Sequence, residues 1–463
     1  MERWFDVLLP RLTPLQAAHG GPVVAFQAEN EYGSYGDDPN YVAWTQRILQ
    51  ERGVTELIFS ADGGSDFFLH GGAIDGMLAT GTLGSRGPEA ISTWQRRRPG
   101  EPFIAAEFWN GWFDHWGERH HRRDPEEAAG EVREILTGGG SVCLYMAHGG
   151  TNFGLSSGAN HEGALQPTIT SYDSDAPIAE DGTLSDKFWR LRQVFNDMRQ
   201  QLGHAPAEVP EELMVPAPVI PARALALRPR IGLLAALRRR PVIAISPTPL
   251  SFDELDCPNG LVLYRAQPIL PAGQFSLRIA GLHDRAQVFI NGEAVTIFEA
   301  EAHEPFLLKG DGQPATLEIL VENQGRINYG HLLGQGKGIL GGVLINQRMT
   351  YGWEHIALPL DDFNASDLEH LSTGASAASG EPGFFDIDFE LVEPANSYLA
   401  LPRFRKGFLW VNETLLGRYW SRGPQKTLYA PKGMFMQGAN RVSILELEES
   451  GETLEFKPSA ELG

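Results

Sequence analysis

Along the first 200 residues, short apolar runs alternate with stretches in which apolar positions recur at helical spacing. Residues 23–27, 57–60, 77–81, 103–106 and 142–146 have the length and composition of buried strands, and each runs into a loop rich in Gly, Asp and Asn. Between them the pattern predicts helices over 41–52 and 125–136, the second opened by Asp124 as N-cap with Pro125 at the first helical position. A further amphipathic helix is predicted at the N-terminus, with Trp4, Phe5, Leu8 and Leu9 on one face. Successive strand–helix units of this kind predict either a barrel or a doubly wound sheet.

The texture changes near residue 203. Residues 203–247 are rich in Pro and Ala, carry a basic run at 238–240, and read as a linker with one short helix at 232–239. From residue 248 onward the pattern is all β, with strands predicted at 261–264, 275–279, 286–290, 317–321, 407–411 and 441–447. Turns such as Asn291-Gly292 punctuate them, and their spacing predicts two sandwich modules, 248–350 and 351–463, with a low-complexity loop at 372–380.

Composition narrows the function. A formal charge of −21 argues against nucleic acid or an anionic membrane as partner, because both reward an excess of Lys and Arg. Two cysteines are too few for a disulfide framework, and Cys143, inside an apolar run, is expected to be a buried free thiol. With no signal-peptide core at the N-terminus, the expected compartment is the cytoplasm.

Two strand ends carry the chemistry. In Phe26-Gln27-Ala28-Glu29-Asn30-Glu31, an apolar strand runs directly into two acids. Charge at the end of a buried strand is costly unless paired or used, and the carboxyl ends of strands are where barrel enzymes place catalytic groups. A regular strand would put Glu29 and Glu31 on one face and Asn30 on the other. These acids alone fit a structural ion pair as well as a catalytic role. A second strand end repeats the arrangement at Glu107, which is followed by Phe108, Trp109, Trp112, Phe113 and Trp116 in a Gly/Asn/Asp-rich loop. Aromatic faces stack on the C–H faces of sugars, so Trp109 and Trp112 are read as pocket residues and Trp116 as core. Two carboxylates at separate strand ends are what glycoside hydrolysis requires, one protonated to assist the leaving oxygen and one ionised to face the anomeric carbon.

The longer strings support this reading. Gln27 through Tyr35, Glu107 through Gly117, Gly149-Gly150-Thr151-Asn152-Phe153-Gly154 and Ser171-Tyr172-Asp173-Ser174-Asp175-Ala176-Pro177 resemble family 35 β-galactosidases. The similarity continues through Gly281-Leu282-His283-Asp284-Arg285, residues 321–330 and Leu416-Gly417-Arg418-Tyr419-Trp420, and so covers nearly the whole chain. The resemblance implies an incomplete (β/α)8 TIM barrel at 1–202, followed by two β-sandwich modules of jelly-roll, galactose-binding type. It implies Glu31 as general acid/base, Glu107 as nucleophile and Asn30 as partner of the sugar 2-hydroxyl. Trp109, Trp112, Tyr145 and Tyr172 fall where the family lines its galactose pocket. The implied activity is exo-hydrolysis of terminal β-galactosides in an oligosaccharide or glycoconjugate, with retention, no cofactor and no metal. Retention predicts carboxyl groups about 5–5.5 Å apart.

The chain departs from the family pattern in having Ser174 where a second Tyr is frequent and Cys143 where Asn is frequent. The family's acid/base strand is the fourth of its barrel, whereas here it begins near residue 23, which predicts strands four to eight only. Two other functions fit the same residues: a galactoside-binding protein without catalysis, and a retaining exo-glycosidase for another sugar. His115, His120 and His121 beside Asp114 and Glu118 match no metal-ligand spacing and are read as structural.

Overall fold

A computed structural model describes residues 1–300, 304–361, 363, 365–371 and 380–463, which fall into two compact units. The first comprises Met1–Trp112, His121–Gly149 and Asp173–Pro216, and the second Phe113–His120, Gly150–Tyr172 and Ala217–Gly463.

In the first unit the apolar runs form strands β1 (Ala25–Asn30), β2 (Leu57–Gly63), β3 (Leu78–Leu83), β4 (Ile104–Trp109) and β5 (Ser141–Tyr145). All neighbouring pairs are parallel and the spatial order is the chain order. A doubly wound sheet reverses its order at a switch point, so the second of the two expected topologies is excluded. The sheet is not a closed barrel: neither β1 nor β5 pairs with another strand on its outer side among the described residues.

Helices α1 (Glu2–Leu12), α2 (Pro39–Glu51), α3 (Asp66–Gly72), α4 (Gly87–Arg97), α5 (Pro125–Thr137) and α6 (Asp186–Gln201) complete the unit. Asp124 caps α5 by accepting from the backbone N–H groups of Glu126 and Glu127, as its sequence position predicts. Asp38, in a segment that reads only as loop, caps α2 in the same way through Asn40. Trp94, Val132, Ile135 and Leu191 from three helices pack against Ala79, Ala105 and Phe108 of the sheet. Leu9, Val42 and Leu49 pack against Ala28 and Ile58.

Both acid-bearing strands are irregular. Gln27 pairs with Phe59 and Asn30 with Ala61, so β1 holds one residue more than β2 over that interval. Gly81 pairs with Ala105 and Thr82 with Glu107, so β4 likewise carries an extra residue. Such bulges re-aim the side chains beyond them. The strand is thus irregular before Asn30: Gln27 and Asn30, three residues apart, are both exposed and are hydrogen bonded at 2.9 Å, while Glu29 and Glu31 are both partly buried. Cys143 is also corrected. It is exposed, because only Val142 and Leu144 of β5 turn towards the helices while Cys143 and Tyr145 alternate to the opposite face.

The second unit contains two sandwiches. In one, a six-stranded sheet that includes Leu261–Ala266 and Leu317–Glu322 encloses a core with a four-stranded sheet built on Gly273–His283. In the other, a five-stranded sheet around Gly438–Glu446 packs on a four-stranded sheet that includes Ser397–Ala400. Residues 203–247 differ from the expected linker. Arg223–Ala226, Arg228–Gly232 and Ala244–Ser246 are strands, each at the edge of a different sheet. Edge strands tolerate short length, Arg and Pro, which is why this stretch lacks the apolar alternation of an inner strand. Trp353–Leu358 pairs with Leu261–Ala266, so the first sandwich runs beyond residue 350. Of the expected loop at 372–380, residues 372–379 lie outside the described residues.

Candidate active site

Glu31 directly follows β1. Its N–H continues the ladder to the Ala61 carbonyl at 2.9 Å, and its backbone then turns into the left-handed region, with φ 52° and ψ 34°. That conformation is sparsely populated for a residue with a side chain and persists only where its surroundings hold it. The half-buried Glu31 carboxyl is influenced by the Thr82 hydroxyl of β3 and by the charges of Glu107 of β4 and Asp62 of β2. Burial holds its pKa above the ordinary glutamate value. The Thr82 hydroxyl opposes that shift, and the negative charges of Glu107 and Asp62 reinforce it.

Glu107 stands at the β4 bulge, where Trp109 donates its indole N–H to Glu107 Oε2 at 3.1 Å. The rings of Trp109 and Trp112 meet edge to face with centroids 5.4 Å apart. Trp109 is the register partner of Tyr145 at the end of β5, and both Tyr145 and Trp112 are exposed. Behind this edge, Arg123 donates to the Trp109 carbonyl at 2.6 Å and its backbone N–H donates to Asp175 at 2.8 Å. Lys187, buried, donates to the same Asp175 carboxylate at 2.5 Å. The loop after β4 is thus braced from the opposite side of the chain.

Six of the seven residues singled out from the sequence, Asn30, Glu31, Glu107, Trp109, Trp112 and Tyr145, stand at or just beyond the carboxyl ends of β1, β4 and β5. Tyr172 lies in the second unit, in a short ladder pairing Ser171–Tyr172 with Gly150–Thr151, and stacks on Phe113 with centroids 5.5 Å apart. Glu29 has no salt bridge among the described residues: it accepts from the Tyr35 phenol at 3.0 Å, and burial raises its pKa against the effect of Tyr35 and Tyr41. Trp116 is buried with Ile169 and Trp420, as core. His115 bonds Glu118 and Asn160, each at 3.0 Å, and His120 bonds Asp114 at 2.7 Å.

Asp62 escaped the sequence reading. It stands one residue before the end of β2, as Glu107 stands near the end of β4, but the apolar run in the sequence stops at residue 60. It is 1% exposed, and burial pushes its carboxyl up to about 6, against the hydrogen bond from the Gly33 N–H at 2.7 Å.

An open parallel sheet with clustered carboxyl groups and tryptophans at its carboxyl edge has the attributes of a glycoside hydrolase site. Residues 1–198 match the family model of glycosyl hydrolases family 35, residues 249–360 the first all-β domain of β-galactosidases, and residues 382–440 the β-galactosidase galactose-binding domain. The chain is 33% identical to "Beta-galactosidase-1-like protein 3" of Rattus norvegicus, over all of this chain and 72% of that protein. It is 34% identical to "Beta-galactosidase" of Macaca fascicularis, covering 97% of this chain and 68% of that one. To "Beta-galactosidase-1-like protein 2" of Homo sapiens it is 33% identical, covering 100% and 72%. The chain belongs to glycosyl hydrolases family 35 and is a glycoside hydrolase related to β-galactosidases.

Proposed function

We propose that the chain hydrolyses terminal β-D-galactosides by double displacement with retention. Glu31 protonates the glycosidic oxygen while Glu107 attacks the anomeric carbon. The Glu31 carboxylate then takes a proton from the water that releases galactose from Glu107. The observation that carries this reading is that Glu31, just beyond β1, and Glu107, in β4 two strands further on, act on one another electrostatically, while burial raises the Glu31 pKa above the ordinary glutamate value. Asn30 is assigned to the sugar 2-hydroxyl, and Trp109, Trp112 and Tyr145 to the galactose pocket. The test is proton NMR of the first-formed sugar from an aryl β-galactoside. β-Galactose appearing before mutarotation supports the reading, and α-galactose overturns it.

One observation favours a second reading. The five-stranded sheet has two unpaired outer edges among the described residues, and Gln27, Asn30, Cys143 and Tyr145 are exposed on or beside it. A chain of this kind that binds galactosides without turning them over would release heat on titration with galactose while leaving a chromogenic galactoside intact.

A further inference from the structure

Asp62 has a cost that its position must explain. Its carboxylate is buried, it has no salt-bridge partner among the described residues, and an isosteric amide would fill the same space. Two features tie it to Glu31. One oxygen accepts the backbone N–H of Gly33 at 2.7 Å, two residues beyond Glu31, in the turn that carries the left-handed backbone. The surroundings leave no slack. A Cβ at Gly33 would stand 2.1 Å from the Phe68 carbonyl oxygen and 2.9 Å from Asp62 Oδ1, and one at Gly72 would stand 2.0 Å from Asp62 Oδ2. Glycine lets the turn after β1 and the end of α3 close directly on the carboxylate.

We propose that Asp62 is a positioning residue for the acid/base: it clamps the turn that presents Glu31 and sets a second negative charge beside the Glu31 carboxyl. The groups facing Glu31 are Asp62 from β2, the Thr82 hydroxyl from β3 and Glu107 from β4. Those facing Asp62 are the Gly33 N–H, the Ser60 hydroxyl and Glu29 from β1. No cation stands among these groups. Each negative charge in the cluster therefore makes it harder for Glu31 to lose its proton, which is the state a general acid needs.

The inference rests on Glu31 being the acid/base, so the test measures that assignment in parallel. Asp62→Asn keeps an acceptor for Gly33 and removes the charge. The pH dependence of kcat/KM is followed with an aryl β-galactoside whose leaving group needs protonation. In Asp62→Asn the alkaline limb moves to lower pH by about 0.5 unit or more, with KM little changed, and in Glu31→Gln the limb is lost. A limb unmoved in Asp62→Asn but lost in Glu31→Gln overturns the role of Asp62 and leaves Glu31 as the acid. A limb that persists in Glu31→Gln overturns both. A second measurement reads the coupling without turnover. Carboxyl-carbon NMR finds the Glu31 pKa lower in Asp62→Asn than in the unsubstituted chain, and equal values overturn the proposal.

Discussion

The indole of Trp109 donates to Glu107 across 3.1 Å, so one residue of the loop after β4 both holds a carboxylate and forms part of an aromatic wall. A hydrogen bond to a charged group is worth about 1.5–3 kcal/mol. Trp109→Phe keeps a ring and removes the donor, so kcat/KM for an aryl β-galactoside should fall about 10- to 100-fold. Steady-state kinetics check this, and an unchanged value would mean the contact does not orient Glu107.

The same loop is tightly seated. A Cβ at Gly111 would lie 1.8 Å from the Ser174 carbonyl oxygen, a backbone atom that cannot rotate away. Gly111→Ala should cost about 1–3 kcal/mol of stability and lower the midpoint of thermal unfolding.

With Glu31 as the proposed general acid, the pH dependence of turnover should follow its carboxyl. Its pKa is raised by burial first, so it retains its proton at pH values where a free glutamate has lost it. Activity that needs the protonated acid is therefore present below the raised pKa and declines as pH rises through it. Thr82→Val removes the hydroxyl that opposes the shift, so the alkaline limb of the kcat/KM profile should move to higher pH. A move to lower pH would contradict this balance of charges.

Stability of the second unit has its own pivot. Glu322, 3% exposed, pairs with Lys406 at 2.8 Å and Arg418 at 2.9 Å, and the Lys406 ammonium also lies 3.5 Å from the Trp420 ring centre. Glu322→Gln leaves two buried cations without their counter-charge, a loss of about 3–5 kcal/mol. Urea unfolding followed by tryptophan fluorescence measures it.

Much of this was legible in the chain. Runs such as 57–60 and 103–106 reveal β2 and β4 because inner parallel strands are apolar on both faces, and Asn30-Glu31 and Glu107 are visible because charge abruptly ends such a run. What stayed hidden depends on neighbours. The bulges in β1 and β4 appear only in the register with the adjoining strand. Asp62 is a single acid whose burial between Gly33 and Gly72 comes from packing. Edge strands such as Arg228–Gly232 carry too little apolar pattern to distinguish them from a linker. Cys143 looked buried because the residues around it are apolar, although it faces away from the helices.

The roles proposed for the two carboxylates are most directly separated by adding azide to glycine variants. In Glu107→Gly, azide takes the place of the missing nucleophile and should restore turnover as α-galactosyl azide. In Glu31→Gly, azide attacks the intermediate formed on Glu107 and should give β-galactosyl azide. Those two anomers, identified by NMR, are the predicted result. The same anomer from both variants, or wild-type turnover in Glu107→Gly without azide, would contradict the account.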